Sequence, residues 1–264
     1  MAGKYARIIE TIFLKKFKEG DTTILFDRSE IRETGEKLHI ELPKNLGDVV
    51  YSFKFRASLP QSIRNTSPED LHWVIVGKGP SQYAFELRAM PKIFPDDMLP
   101  TIKIPDATPG IVTRYALNDE QALLTKLRYN RLLDIFTGIT CYSIQNHLRT
   151  TVQDFGQVET DEIYVGLDKH GAHYVFPVQA KGGSDIIGIV QIEQDIALCG
   201  EKFPKLEARS IAAQFMADDV IALFEFGLDE DSAVVKLSES HYKLVPPEQL
   251  TTEELQKYRE WRKV

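Results

Sequence analysis

Residues 156–181, GQVETDEIYVGLDKHGAHYVFPVQAK, constrain this chain more than any other stretch. Val158, Thr160, Glu162, Tyr164 and Gly166 alternate with Glu159, Asp161, Ile163, Val165 and Leu167, which is the period of a strand. The return run is Tyr174 to Lys181. Between the two lies Asp168-Lys169-His170-Gly171, a polar turn with a glycine available for positive φ. The pattern predicts an antiparallel hairpin. With the turn centred near residue 170, Asp161 falls opposite Gln179 and Glu159 opposite Lys181. Side chains alternate faces along a strand, so these four share one face at the hairpin's open end, with Ile163 and Val165 nearer the turn. A one-residue slip would scatter them.

Two carboxylates, a carboxamide and an ammonium together suit phosphodiester hydrolysis. Mg²⁺ prefers oxygen ligands and keeps several waters, so Glu159, Asp161 and the Gln179 oxygen are candidate metal ligands. Lys181 beside them is a candidate to position the attacking water and stabilise the transition state. The same charges also read as the solvated face of an ordinary hairpin, because exposed ion pairs are common and contribute little.

Asp161, followed eighteen residues later by Gln179-Ala180-Lys181 at the end of an apolar strand, resembles the PD-(D/E)XK nuclease superfamily. The resemblance covers roughly residues 118–226. It implies an α/β (α+β) restriction-endonuclease-like core, a mixed sheet flanked by helices, with a helix over 119–136 opening the core. Past the hairpin it implies a helix from about Gly188 to Cys199, then strands over Ser210–Phe215 and Val220–Phe226. Asp161 would take the place of the metal-binding acid and Lys181 that of the catalytic lysine. Gln179 departs from the usual acid, and Glu159 would restore the missing charge from the same face. Thr160 stands where the pattern has proline. By the same resemblance the cofactor would be Mg²⁺, with Mn²⁺ as substitute, the substrate double-stranded DNA, and the working form a homodimer.

Elsewhere the spacing of Ala6, Ile9, Ile12, Phe13 and Phe17 predicts a helix over 3–18. A short extended piece at 23–26 precedes a helix capped by Asp27 or Ser29, then a third helix from Leu46 to about Phe55. LHWVIVGKG and QYAFELRA read as a second hairpin, with Trp73 in its core. Three helices and a hairpin are the order of a winged helix, which would present Asn45, Ser52, Lys54 and Arg56 to DNA. They are equally the order of any small α+β domain.

Five prolines between Pro91 and Pro109 read as an extended connector. The division expected is therefore 1–92 for the winged-helix-like domain, 93–117 for the connector and 118–264 for the nuclease-like domain. Asn118-Asp119 is expected to cap a helix burying Leu123, Leu124, Leu127, Leu132 and Ile135, with Arg128 and Arg131 on its solvated face. A further helix is expected over Thr140–Arg149. Its end offers Arg149 and Thr150 as donors to DNA phosphates, or as groups that satisfy the helix terminus. Gln191 and Gln194 are expected at the surface, and Thr251 to Glu254 as a capping box opening a last helix.

The net charge of −7 argues against a protein that coats nucleic acid without selectivity, though local basic patches can coexist with it. No apolar run approaches the ~18–20 residues of a membrane span. Cys141 and Cys199 lack metal-ligand spacing, and a reduced cytoplasm is the simplest setting. Three functions follow in order: a Mg²⁺-dependent DNA endonuclease of restriction type, a catalytically inactive nuclease-like DNA-binding or regulatory protein, and a protein-interaction domain.

Overall fold

In the computed structural model, the described residues are 2–55, 57–89, 92–115, 120–182, 185–230 and 233–261. The chain forms two compact units. Unit 1 gathers residues 1–94, 149–159 and 186–201, and unit 2 gathers 95–148, 160–185 and 202–264. The architecture is α+β, with a mixed eight-stranded sheet flanked by helices and a separate three-stranded sheet.

Unit 1 begins with α1 (Ala2–Lys16), β1 (Thr23–Asp27), α2 (Arg28–Lys37), α3 (Gly47–Phe55) and α4 (Gln61–Arg64). The hairpin β2 (His72–Gly77) and β3 (Gln82–Arg88) follows, and β1 joins it in the order β1-β3-β2. Asp27 opens α2, its N–H donating to the Glu30 carboxylate at 3.0 Å. The core is aromatic: Phe13 packs on Phe17, Trp73 and Phe85 with ring centroids 5.1 Å apart in each case. Later segments join this unit through named contacts. Ile93 N–H donates to the Ile187 carbonyl at 2.9 Å, Arg88 pairs with Glu193 at 3.0 Å, and the Gln153 N–H donates to Glu201 at 2.6 Å. Gly77 passes so close to the turn at Phe155 that a Cβ there would lie 2.2 Å from the Phe155 carbonyl oxygen.

The helix α8 (Ile189–Lys202) buries Ile192, Leu198 and Cys199, and also Gln194, which is 4% exposed and so not the surface residue its polarity predicts. The reason is position: Gln194 lies four residues after Val190 and four before Leu198, both buried on the same face.

The large sheet runs β4-β11-β10-β9-β7-β6-β5. Its strands are β4 (Thr101–Pro105), β5 (Thr140–Val152), β6 (Gly156–Leu167), β7 (His173–Lys181), β9 (Ser210–Phe215), β10 (Val220–Leu228) and β11 (Val234–Val245), with the short β8 (Glu207–Ala208) beside β7. The proline-rich stretch is thus not wholly a connector: Thr101–Pro105 pairs in parallel with β11, Pro105 closing the strand where a missing N–H is tolerated. After it come α5 (Gly110–Tyr115), α6 (Glu120–Tyr129) and α7 (Leu132–Thr137).

The single helix expected over 119–136 is two, and its expected cap at Asn118-Asp119 lies outside the described residues. Arg131 at φ 50° breaks it. Asn130, 6% exposed, plugs the joint by bonding the Ala107 N–H, the Thr108 hydroxyl and the Lys126 carbonyl. That turn redirects α7, so Ile135 emerges 46% exposed while Leu123, Leu124, Leu127, Leu132 and Leu133 are buried. Those leucines pack on the sheet face carrying Tyr164, Phe176, Val178, Ala180, Ile211 and Ala213.

The helix expected over 140–149 is instead the strand β5. Thr140, Tyr142, Ile144, Thr150, Thr151 and Val152 are β-branched or aromatic, and they favour a pleated surface over a helix turn. Among the described residues no helix is long and apolar enough to cross a membrane. Both cysteines are free and buried, and burial pushes the Cys141 thiol up to about 12.

Candidate functional site

The β6–β7 ladder runs from Leu167↔His173 to Glu162↔Val178, the register predicted with the turn at residue 170. Asp168 shapes the turn by accepting the N–H groups of His170 and Ala172, each at 2.8 Å. Beyond Glu162 side chains take over from backbone. The Thr160 hydroxyl donates to the Val178 carbonyl at 3.3 Å, and the Asp161 carboxylate accepts the Ala180 N–H at 2.8 Å. On its other side β7 pairs in parallel with β9, placing Gln179 beside Ala212 and Lys181 beside Gln214.

Asp161, Gln179 and Lys181 therefore meet in unit 2. Gln179 is 3% exposed. Burial pushes the Asp161 carboxyl above its usual range, and the nearby Glu120 charge adds to the rise; the Ala180 N–H, the Lys181 ammonium and His147 oppose it. The Lys181 ammonium pairs with Glu120 at 2.9 Å, with the lysine side chain 14% exposed. Glu120 stands in the first turn of α6, and its neighbour Gln121 bonds the His147 ring at 3.1 Å. His147 lies on β5 with a left-handed φ of 49°, a distortion that re-aims a strand side chain.

Glu120 and His147 are the residues that sequence reasoning missed. An acid in the first turn of a helix reads as a partner of the helix dipole, so nothing in the local pattern marks Glu120 for chemistry. His147 fell within a stretch expected to be helical, where its turn toward Asp161 has no precedent.

Glu159 has an ion-pair partner of its own. It pairs with Arg149 at 2.5 Å, both residues in unit 1, Arg149 being 61% exposed. The guanidinium expected at a helix end is therefore on a strand and held by a carboxylate; Thr150 beside it is half-buried. In the N-terminal region Asn45 is exposed and caps α3, its carboxamide bonding the Gly47 N–H and Asp48. Ser52 is half-buried. Lys54, expected on the exposed side, is half-buried as well, and burial lowers its ammonium to about 8. Arg56 lies outside the described residues.

On the opposite face of β6, Glu162 is fully buried and bonds Arg128 at 3.0 and 3.2 Å as well as the Ser143 hydroxyl. Arg128 is thus no idle solvated residue, although 42% of its side chain reaches water.

The oxygen donors near Asp161 are two carboxylates, Asp161 and Glu120, and the Gln179 carboxamide, with the His147 ring close by. A carboxylate that burial holds up, with a second carboxylate close by, gains from a divalent cation. The set fits Mg²⁺, which keeps much of its water shell, better than it fits Zn²⁺. Among the described residues no three His, Cys, Asp or Glu side chains gather as a metal-holding group, so the carboxamide would complete the set. No family model matches the chain, and no curated protein or solved structure matches it either.

Proposed function

We propose that this protein is a Mg²⁺-dependent endonuclease of restriction type acting on double-stranded DNA. The observation that carries the reading is the cluster at the end of β6 and β7, where Asp161 and Glu120 flank the ammonium of Lys181 beside the buried Gln179. A divalent cation held by Asp161, Glu120 and the Gln179 oxygen would neutralise the scissile phosphate and acidify a bound water.

The chain's own groups supply the rest. Asp161 is oriented by its bond to Ala180, which fixes one carboxylate oxygen and leaves the other to accept a ligand. Lys181, partly shielded from water, would hold the attacking water and offset the charge gathering on the phosphorane oxygens. Glu120 holds the ammonium until the carboxylate is drawn elsewhere.

The mixed sheet with helices supports a restriction-endonuclease-like core. In unit 1 the order helix, strand, three helices, hairpin, with strands β1-β3-β2, supports a winged-helix-like reader of DNA. A two-fold dimer would let two sites cut both strands.

The test is cleavage of plasmid and phage DNA, methylated and unmethylated, in Mg²⁺, Mn²⁺ or chelator. We expect metal-dependent fragments, and a loss of roughly 10²–10³-fold in rate for Lys181→Ala and for Asp161→Ala. The second reading, an inactive DNA-binding protein, is favoured by the neutral Gln179 in place of an acid. Intact DNA that is nonetheless retarded in a gel would establish it.

A further inference from the structure

We propose that Gln214 is a positioning residue for Lys181: its side-chain oxygen receives the ammonium when Glu120 releases it. The inference rests on the reading of Lys181 as the catalytic lysine. In the parallel β7–β9 ladder Lys181 and Gln214 are direct partners, so their side chains leave the sheet on the same face, roughly 4.8 Å apart at the backbone. Gln214 is 9% exposed. Its amide nitrogen donates to the Asp185 carbonyl at 3.4 Å, while its carbonyl oxygen is buried and takes no hydrogen bond from any described residue.

A buried carboxamide oxygen without a donor is costly, and native structures rarely keep one without a use. Reversing the amide would turn its two N–H groups toward a cation, which is worse. Its partner along the ladder is a lysine whose ammonium carries three donors on a flexible stem and is held by Glu120 at 2.9 Å. Glu120 is also a carboxylate at the cation-holding cluster. When that carboxylate turns to a cation, the ammonium needs another acceptor if it is to stay over the strand and not swing into solvent. A side-chain oxygen on the neighbouring strand suits this task, because it can accept a hydrogen bond from the amine.

The first test is a crystal structure of Glu120→Ala. We expect the Lys181 Nζ at about 2.7–3.2 Å from the Gln214 Oε1. An ammonium pointing to solvent or to Asp161, with the Gln214 oxygen still unfilled, would overturn the proposal. The second test compares Gln214→Leu and Gln214→Glu in DNA cleavage. Leucine should lower kcat by roughly 10–100-fold with KM, and DNA affinity in Ca²⁺, unchanged, and glutamate, which keeps an acceptor, should restore most of the rate. A merely structural glutamine predicts the reverse: leucine removes an unpaired buried oxygen, raises Tm and leaves kcat alone, which would sink the idea. If the wild type cuts no DNA, the nuclease reading falls and the crystallographic contact alone decides the role of Gln214.

Discussion

Asp161 is pulled both ways at once, by burial that favours the neutral acid and by the Ala180 N–H and Lys181 that favour the anion. Burial wins, so its folded-state pKa stands above the unfolded value of about 3.9. For an acid this sign means a stability cost. It is absent below the unfolded pKa, where both states are protonated, and it sets in as pH rises through the folded pKa. Asp161→Asn keeps an acceptor for Ala180 and removes the charge. Calorimetry should therefore find the variant more stable than wild type near pH 7, with the gap narrowing as pH falls toward 4. Added Mg²⁺ should raise the Tm of the wild type and not that of the variant. Glu162, buried on the other face of β6, is paired with Arg128. Arg128→Met should cost about 3 kcal/mol in chemical denaturation, the low end for breaking a buried pair because the guanidinium is partly wet.

At the scale of elements, the hairpin was legible because period-two alternation and a polar turn fix both strands and their register. The ladder from Leu167 to Glu162 follows from those features alone. What lay beyond Glu162 was not legible, since Asp161 trades its place in the ladder for a side-chain bond to Ala180. The strand β5 was misread for a related reason. Directly after Gly138 its apolar residues fit a helix period as well as a strand period, and the partner strand that decides the matter comes later in the chain. Glu120 reached the site through the packing of α6 on the sheet, which has no local signature. Turn contacts were equally hidden. Gly77 has no special sequence context, yet the Phe155 carbonyl occupies the space of a Cβ. Gly77→Ala must move backbone, and urea titration should show a loss of about 1–3 kcal/mol or more.

Across the whole molecule, charge is distributed with local purpose despite the net −7. In unit 2, Glu239 has a side chain 3% exposed and joins residues far apart in sequence. It accepts the Asp96 N–H at 2.7 Å and pairs with Lys236 at 2.6 Å and His241 at 2.9 Å. Burial works against its ionisation, but these donors outweigh it and hold the carboxyl below the usual range. The sign here is opposite to that of Asp161. The stability it contributes is present above the unfolded value of about 4.3 and lost as pH falls through the folded one. Glu239→Gln should cost about 2 kcal/mol at pH 7, and its acid-unfolding curve should be flatter than that of the wild type.

The threading of the chain has a consequence for how the protein is made. Unit 1 draws on residues 1–94, 149–159 and 186–201, so the chain leaves it and returns twice before it is complete. During synthesis on a ribosome, the first ninety-four residues emerge without the pieces that finish their unit. The N-terminal core over residues 8–85 can therefore form early, but the unit is finished only when residues 149–159 and 186–201 arrive. Nascent chains stalled before residue 186 should remain more sensitive to protease than the finished chain, and neither unit can be passed between genes as a single uninterrupted segment.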